Sequence, residues 1–360
     1  MIAQHMKDAR FMDKALLLAR KGIGRTSPNP MVGSVITRGE HVIGHGFHKR
    51  AGLPHAEIEA IQNAGGSVRG ATLYVNLEPC THWGQTPPCV DAIIRAGITR
   101  VVCAATDPNR QVHGHGVAKL RRAGIKVSVG TRANEARNLN EVFYTYHEKQ
   151  RPFVALKFAM SLDGKMATRT RDSKWITNER ARAFARSLRG RYDAVLVGIT
   201  TVLYDNPHLG TRIKGEKDPV RIILDSRLRI PLNSRVLRDG NVIIATSSSA
   251  STSKKARLSR RGITVFSFKG KTIPAKALLA KLKTHGITSV LVEGGGEVIG
   301  SFLDARVASH IFAFYGPLLI GGKDALHVSG KGVATIKNAL RLRTVSFIPF
   351  GTTLLVSGTP

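Results

Sequence analysis

The sequence predicts two α/β domains, a three-layer α/β/α unit followed by a mixed-sheet unit, and three observations carry that reading. The chain has 360 residues, more than one hydrophobic core usually organises. Apolar strand-like runs alternate with helical patterns along its whole length. The alternation pauses at HEKQRPF (147–153) and restarts with VALKFAM, which sets the expected domains at 1–148 and 149–360.

In the first unit, MKDARFMDKALLLARKG places Phe11, Ala15, Leu18 and Ala19 at helical spacing and stops at Gly22. MVGSVIT and HVIGHGF read as strands paired across RGE, and HAEIEAIQNAG as a helix. ATLYVNLEPC is a buried-type strand running into a polar loop, followed by a short helix, CVDAIIRAG, and a strand, RVVCAAT. GVAKLRRAGIKVSVG adds one helix and one strand, and the unit is expected to close near residue 145. In the second unit VALKFAM, DAVLVGI, VRIILD, NVIIAT, ITVFSF and SVLVEGGG read as strands interleaved with helices such as NERARAFARSLRG. SHIFAFYG and VSFIPFGTTLLVSG predict antiparallel strands that close a mixed sheet.

Composition narrows the class. Hydrophobic residues at 42% and charged residues at 22% fit a globular chain. No apolar run approaches the ~18 residues of a membrane helix, and MIAQHMKDARFMDK lacks a signal-peptide core, so a cytoplasmic protein is expected. The 55 basic and 24 acidic residues give a net charge of +31, most of it beyond residue 150, a balance that attracts polyanions. The densest run, SSSASTSKKARLSRRG (247–262), has no aromatic side chain for base stacking. It reads as a solvated surface, and no nucleic-acid partner is expected.

Three cysteines are too few for a disulfide framework. Cys103, inside RVVCAAT, reads as a small buried residue. His55, Cys80 and Cys89 together suit one zinc ion, and three protein ligands leave a fourth position for water, the mark of a catalytic site. Glu57, two residues from His55, is placed to take a proton from that water and pass it to a leaving amine. H-x-E followed by PC…PC is the pattern of zinc-dependent nucleobase deaminases, although here eight residues rather than two separate the cysteines.

The segments TSPNPMVGSVI, AGLPHAE, LEPCTHWGQTPPC and TDPNRQVHGHGV resemble the deaminase half of the bifunctional riboflavin-biosynthesis family. In that family diaminohydroxyphosphoribosylaminopyrimidine deaminase is fused to 5-amino-6-(5-phosphoribosylamino)uracil reductase. ALKFAMSLDGKMA, SKWIT, LRGRYDAVLVGITTVLYDNPHL and LVEGGGEVIGSFL resemble the reductase half. The resemblance implies a cytidine-deaminase-like N-terminal domain and a dihydrofolate-reductase-like C-terminal domain. It also implies one Zn2+, NADPH, and a small phosphoribosylaminopyrimidine substrate, which is first deaminated and then reduced from ribosyl to ribityl; a homo-oligomer is expected.

Carried onto this chain, the resemblance puts Asn29 and His48 at the first substrate. Ala159, Trp175, Thr201, Asp205 and the loop Gly294, Gly295, Gly296, Glu297, Val298, Ile299 and Gly300 fall at NADPH. Ser173, Arg189, Leu209, Arg212 and Glu293 fall at the ribosylamino substrate. Taken alone, Asn29 also reads as a turn former, EGGGE as a glycine-rich turn, Arg189 as part of a solvated helix face, and His82 as either a substrate contact or a surface residue. The chain departs from the family at Arg171 (usually glycine), Gln85 (usually arginine), Arg110 in DPNR and Asn206 after Asp205. Two other classes compete: a tRNA or nucleoside deaminase with an accessory basic domain, which predicts C-x2-C, and a nucleic-acid-binding protein with structural zinc, which needs a fourth ligand such as His82.

Overall fold

A computed structural model describes residues 2–213 and 215–360, and the chain divides between Gln150 and Arg151 into two units. In the first, α1 (Ile2–Ala19) buries Phe11, Met12, Ala15, Leu16 and Ala19 along one stripe. Strands β1 (Gly33–Arg38) and β2 (His41–Phe47) form the expected antiparallel pair, and α2 (Ala56–Gln62) follows. Then come β3 (Thr72–Val75), α3 (Cys89–Arg95), β4 (Arg100–Cys103), α4 (His115–Arg122) and β5 (Lys126–Val129). The sheet order is β2-β1-β3-β4-β5, with β3, β4 and β5 parallel.

Alternation along the strands gives each sheet face its own core. Ile36, Leu73, Val75 and Val101 meet Ala60, Val90, Ile93 and Leu120 on one side. Val35, Tyr74 and Val102 meet Phe11, Met12, Ala15 and Ala136 on the other. The three-layer arrangement is thus the predicted one. The sequence reading did not resolve α5 (Ala133–Leu139) and α6 (Glu141–Glu148), which follow β5 and are separated at Asn140.

The place of α2 depends on two glycines of β2. A Cβ on Gly44 would lie 2.4 Å from the Ala60 carbonyl oxygen, and one on Gly46 would lie 2.6 Å from the Ala60 nitrogen. Only hydrogen at these positions lets α2 lie against the strand.

The second unit carries β6 (Phe153–Met160), α7 (Glu179–Ser187), β7 (Ala194–Gly198), α8 (Ile199–Asp205), β8 (Val220–Leu224), β9 (Val242–Ser247) and α9 (Thr252–Ser259). It continues with β10 (Thr264–Phe268), α10 (Ala275–Thr284), β11 (Ser289–Val292), α11 (Gly296–Asp304), β12 (His310–Tyr315), β13 (Arg343–Phe350) and β14 (Thr353–Thr359). The nine-stranded order is β10-β9-β8-β7-β11-β6-β12-β14-β13. The first seven strands in that order run parallel, and β14 is antiparallel to both its neighbours, which makes the mixed sheet.

Asn178 caps α7 by accepting from the Ala181 N–H at 3.0 Å. The basic run 247–262 forms much of α9, which buries Leu258 and leaves Arg257, Arg260 and Arg261 exposed. Among the described residues no helix is long and apolar enough to cross a membrane.

Candidate active sites

His55 is the residue before α2, Glu57 sits in that helix's first turn, and Cys89 opens α3. Folding therefore brings two helix starts and the loop after β3 to one point. His55 Nδ1 lies 3.2 Å from Cys89 Sγ and 3.6 Å from Cys80 Sγ. The three ligand atoms fall within 4.8 Å of one another. The Cys89 N–H donates to Cys80 Sγ at 3.4 Å. The Cys89 thiol and His55 draw the Cys80 thiol well below its usual range, whereas the Cys80 sulfur and burial push Cys89 up. One thiolate, one thiol and one imidazole facing a common centre are the donor chemistry that zinc takes. His82 is exposed and outside the cluster, so among the described residues no fourth protein ligand closes the site. The closed structural-zinc alternative loses its premise.

Glu57 is 3% exposed, and its carboxyl is pushed up to about 7 by burial and the Cys80 thiolate, against the pull of His55. A carboxyl poised near neutrality both accepts and releases a proton. His48 packs edge-on to His55 with ring centroids 5.2 Å apart, and burial holds it below its usual range, hence neutral. Its Nδ1 donates to the Pro54 carbonyl at 3.2 Å while its Nε2 accepts from the Asn29 amide at 3.1 Å. Among the described residues the Asn29 carbonyl oxygen has no hydrogen-bond partner.

Two sets of residues that sequence reasoning missed hold this arrangement. Thr86 Oγ1 lies 3.3 Å from His55 Nε2, so it fixes the ring with Nδ1 turned to the sulfurs. Buried Asn140 accepts from the Met31 N–H at 2.7 Å and donates to its carbonyl at 2.9 Å. Asn76 accepts from Gly33 N–H at 2.8 Å and also donates to the Met31 carbonyl. Together they pin the segment that carries Asn29. Nothing in local periodicity marks such residues; a polar side chain in an otherwise apolar strand, as in YVNL, is the one available signal.

In the second unit a cavity of about 1090 Å3 opens along the carboxyl ends of the parallel strands. Ala159, Ser173, Trp175, Arg189, Thr201, Asp205, Leu209, Arg212, Glu293, Gly294, Gly295, Gly296, Glu297 and Val298 line it. Ile299 and Gly300 do not. Ile299 is fully buried in the core, and a Cβ on Gly300 would lie 1.3 Å from the Ser329 carbonyl oxygen. Gly296 is similarly pressed by the His327 carbonyl at 1.8 Å, while Gly295 faces open space. The glycines of EGGGEVIGS therefore serve two ends: Gly296 and Gly300 admit the segment 327–329, and Gly295 leaves the start of α11 open to the cavity.

Arg189 and Glu293 meet each other within this cavity. Arg189 Nε donates to Glu293 Oε1 at 2.7 Å, Nη2 to Oε2 at 3.0 Å, and Nη1 to the Gly210 carbonyl at 3.1 Å. Lys157, on the same face of β6 as Ala159, comes within 3.7 Å of Glu293. Burial raises the Glu293 carboxyl, but Arg189 and Lys157 outweigh it and hold it below the usual range. Arg182 lies 4.2 Å above the Trp175 ring, and Lys174 is 3.8 Å from Asp205. Arg171 has φ +70°, in the left-handed region that favours glycine, and its guanidinium lies 5.1 Å from the centre of the Tyr204 ring. Asn206, at φ +39°, ends α8 and accepts from the Arg235 N–H at 2.9 Å.

A three-layer unit with an open His-Cys-Cys site, joined to a mixed-sheet unit with a long ligand cavity, defines a two-activity enzyme, a deaminase coupled to a reductase. Residues 5–105 match the cytidine and deoxycytidylate deaminase zinc-binding region, and residues 152–356 match the RibD C-terminal domain. The riboflavin biosynthesis protein RibD of Aquifex aeolicus is 45% identical over 97% of each chain, and that of Bacillus amyloliquefaciens is 42% identical over 97% of this chain and 95% of its own. A Thermotoga maritima diaminohydroxyphosphoribosylaminopyrimidine deaminase/5-amino-6-(5-phosphoribosylamino)uracil reductase superposes with a TM-score of 0.88 at 40% identity over 99% of each chain. Acinetobacter baumannii RibD gives 0.90 at 35% identity over 99% of each chain. The chain belongs to the RibD family, the bifunctional deaminase and reductase of riboflavin biosynthesis.

Proposed function

We propose that residues 1–148 deaminate 2,5-diamino-6-(5-phosphoribosylamino)pyrimidin-4-one at its ring 2-amino group, and that residues 149–360 use NADPH to reduce the ribosyl chain of the product to ribityl. The observation that carries this reading is the gathering of His55, Cys80 and Cys89 beside a buried Glu57, in a chain that a relative matches over 97% of its length.

In the first unit His55 Nδ1, Cys80 Sγ and Cys89 Sγ hold zinc, which when bound supplies the Lewis acid that activates water. Glu57 takes the water's proton and returns it to the departing amine, so that ammonia leaves. Asn29 and His48 orient the pyrimidine, Asn29 through its carbonyl oxygen.

In the second unit NADPH, when bound, supplies the hydride. The small side chain of Ala159 leaves room for a flat ring beside Glu293. Trp175, Thr201 and Asp205 flank the same space, and the first turn of α11, from Gly295 to Val298, offers N–H groups to a diphosphate. Arg212, with Ser173 and Leu209, meets the phosphoribosyl end. Glu293 is ionised, so it orients the opened sugar as an acceptor.

The protein works in the cytoplasm on this small molecule, without a nucleic-acid partner. It forms a homo-oligomer, supported by an uncovered apolar stretch on the outer strands, where Phe347 is 68% exposed opposite Val356, itself packed on the core.

An assay that follows ammonia release and NADPH consumption on the pyrimidine phosphate tests the reading. Glu57→Gln is expected to keep its zinc, to lose ammonia release, and to oxidise NADPH normally on pre-deaminated substrate. Loss of both activities together would overturn the assignment of independent sites.

A further inference from the structure

We infer that Asp163 and Asp304 are positioning residues for the reduction: each clamps one end of a strap between β12 and β13, and together they hold its middle, residues 323–329, as a wall of the second unit's cavity. This rests on the proposed NADPH reading and deepens it.

The strap, residues 316–342, carries only the short turn Ile336–Asn338 and is far longer than the ~15 residues that irregular connections rarely exceed unless they serve a function. Its hold on the core is slight. Among residues 317–342 only Ala325 is buried, and Val328 rests against the apolar cluster of the second unit. Hydrogen bonds therefore set its course.

At the near end, just past β6, Asp163 accepts from the Ile320 N–H at 3.1 Å through Oδ1 and from the Gly321 N–H at 2.7 Å through Oδ2. The Ser161 hydroxyl donates to the same carboxylate, and with those two N–H groups it holds the Asp163 carboxyl down at about 2, so the group stays charged. At the far end Asp304, the last residue of α11, repeats the arrangement. Its Oδ2 accepts from the Lys331 N–H at 2.7 Å and its Oδ1 from the Gly332 N–H at 3.3 Å. Between the clamps, the Met166 N–H donates to the Leu326 carbonyl at 2.6 Å and the Leu326 N–H to the Ala167 carbonyl at 3.0 Å, a single antiparallel rung.

Residues 323–327 and Ser329 line the cavity from this strap. His327 and Ser329 also lie against the start of α11, where the Ser329 N–H donates to the Gly296 carbonyl at 3.2 Å. Bonds from N–H groups to a carboxylate are stronger than neutral ones, so losing either carboxylate frees one end of a segment that packing holds only weakly. A cavity whose wall is in place part of the time binds its ligand more weakly by that fraction, yet turns over as before once filled.

Steady-state kinetics of Asp163→Asn and Asp304→Asn, with hydrogen exchange on the full chain, test this. Each variant is expected to raise the KM for NADPH about 10-fold, to keep kcat within about two-fold, and to release ammonia normally. In the free variants the strap amides exchange about 10-fold faster than in the wild type, and saturating NADPH restores their protection. A fall in kcat with KM unchanged, or faster exchange spread through the whole second unit, is the signature of a merely structural role and would overturn the proposal. The wild type gives a check that needs no folded variant: NADPH is expected to slow exchange at residues 323–329, and equal rates with and without it would also overturn the wall. A chain that binds NADPH yet fails these tests loses the wall and keeps the reductase reading; one that binds no nicotinamide dinucleotide loses both.

Discussion

Arg189 and Glu293, 104 residues apart, close a two-pronged ion pair at 2.7 and 3.0 Å in which both side chains are nearly buried. The third direction of the guanidinium is taken by the Gly210 carbonyl, so Arg189 ties the segment bearing Leu209 and Arg212 to the end of β11. It is a strut more than a free phosphate fork. Truncating one partner leaves the other charge buried and unmatched, and Glu293→Ala is expected to cost about 3–5 kcal/mol. Urea denaturation followed in the second unit reads that loss, while ammonia release should persist.

The same pair sets a pH dependence. The Glu293 carboxyl is held below its ordinary 4.5, so its stabilising charge is fully present above about 4.5 and lost as the pH falls through the lowered folded value. Wild type and Glu293→Gln should therefore differ in stability at neutral pH and converge in acid. A gap that stays constant down to the acid transition would contradict the assignment.

Thr86 is expected to govern metal retention through His55. Thr86→Val removes the oxygen that faces Nε2 and is expected to weaken zinc binding about 10-fold, as outer-shell losses do. Chelator competition measures it directly, with no need for substrate.

Gly46→Ala puts a methyl group 2.6 Å from the backbone of α2, which must then move away from β2. Overpacking of this kind costs about 1–3 kcal/mol. Because α2 carries Glu57 and is preceded by His55, zinc affinity should drop with stability, whereas NADPH oxidation on pre-deaminated substrate is unaffected.

Phe347→Arg is expected to shift the sedimentation coefficient toward a single chain without changing the fold. An unchanged coefficient would mean that association, if present, uses another face.

Much of this architecture is legible in the sequence. Every strand of the second unit announces itself as an apolar run, and H-A-E with the two PC dipeptides marks, before any coordinate is known, the residues that the fold gathers into one candidate metal site. What escapes has a physical pattern. The α5–α6 break at Asn140 is a single non-helical residue inside a helix-compatible stretch. The pairing of Arg189 with Glu293 needs the sheet order, since nothing local joins a helix end to a strand end across 104 residues. Gly300 and Ile299 match a cofactor motif by position, yet packing against Ser329 and the core claims them. Arg171 shows the reverse: it adopts a left-handed backbone, φ +70°, that its residue type does not announce.

The apolar clusters described for the first 150 residues are built from residues of that unit. At about 5–20 residues per second, the remaining 210 take a ribosome roughly 10 to 40 s to add. During that interval the nascent N-terminal half can collapse, close its thiol pair around a metal ion and shelter both sulfurs from oxidants before its partner activity has been translated.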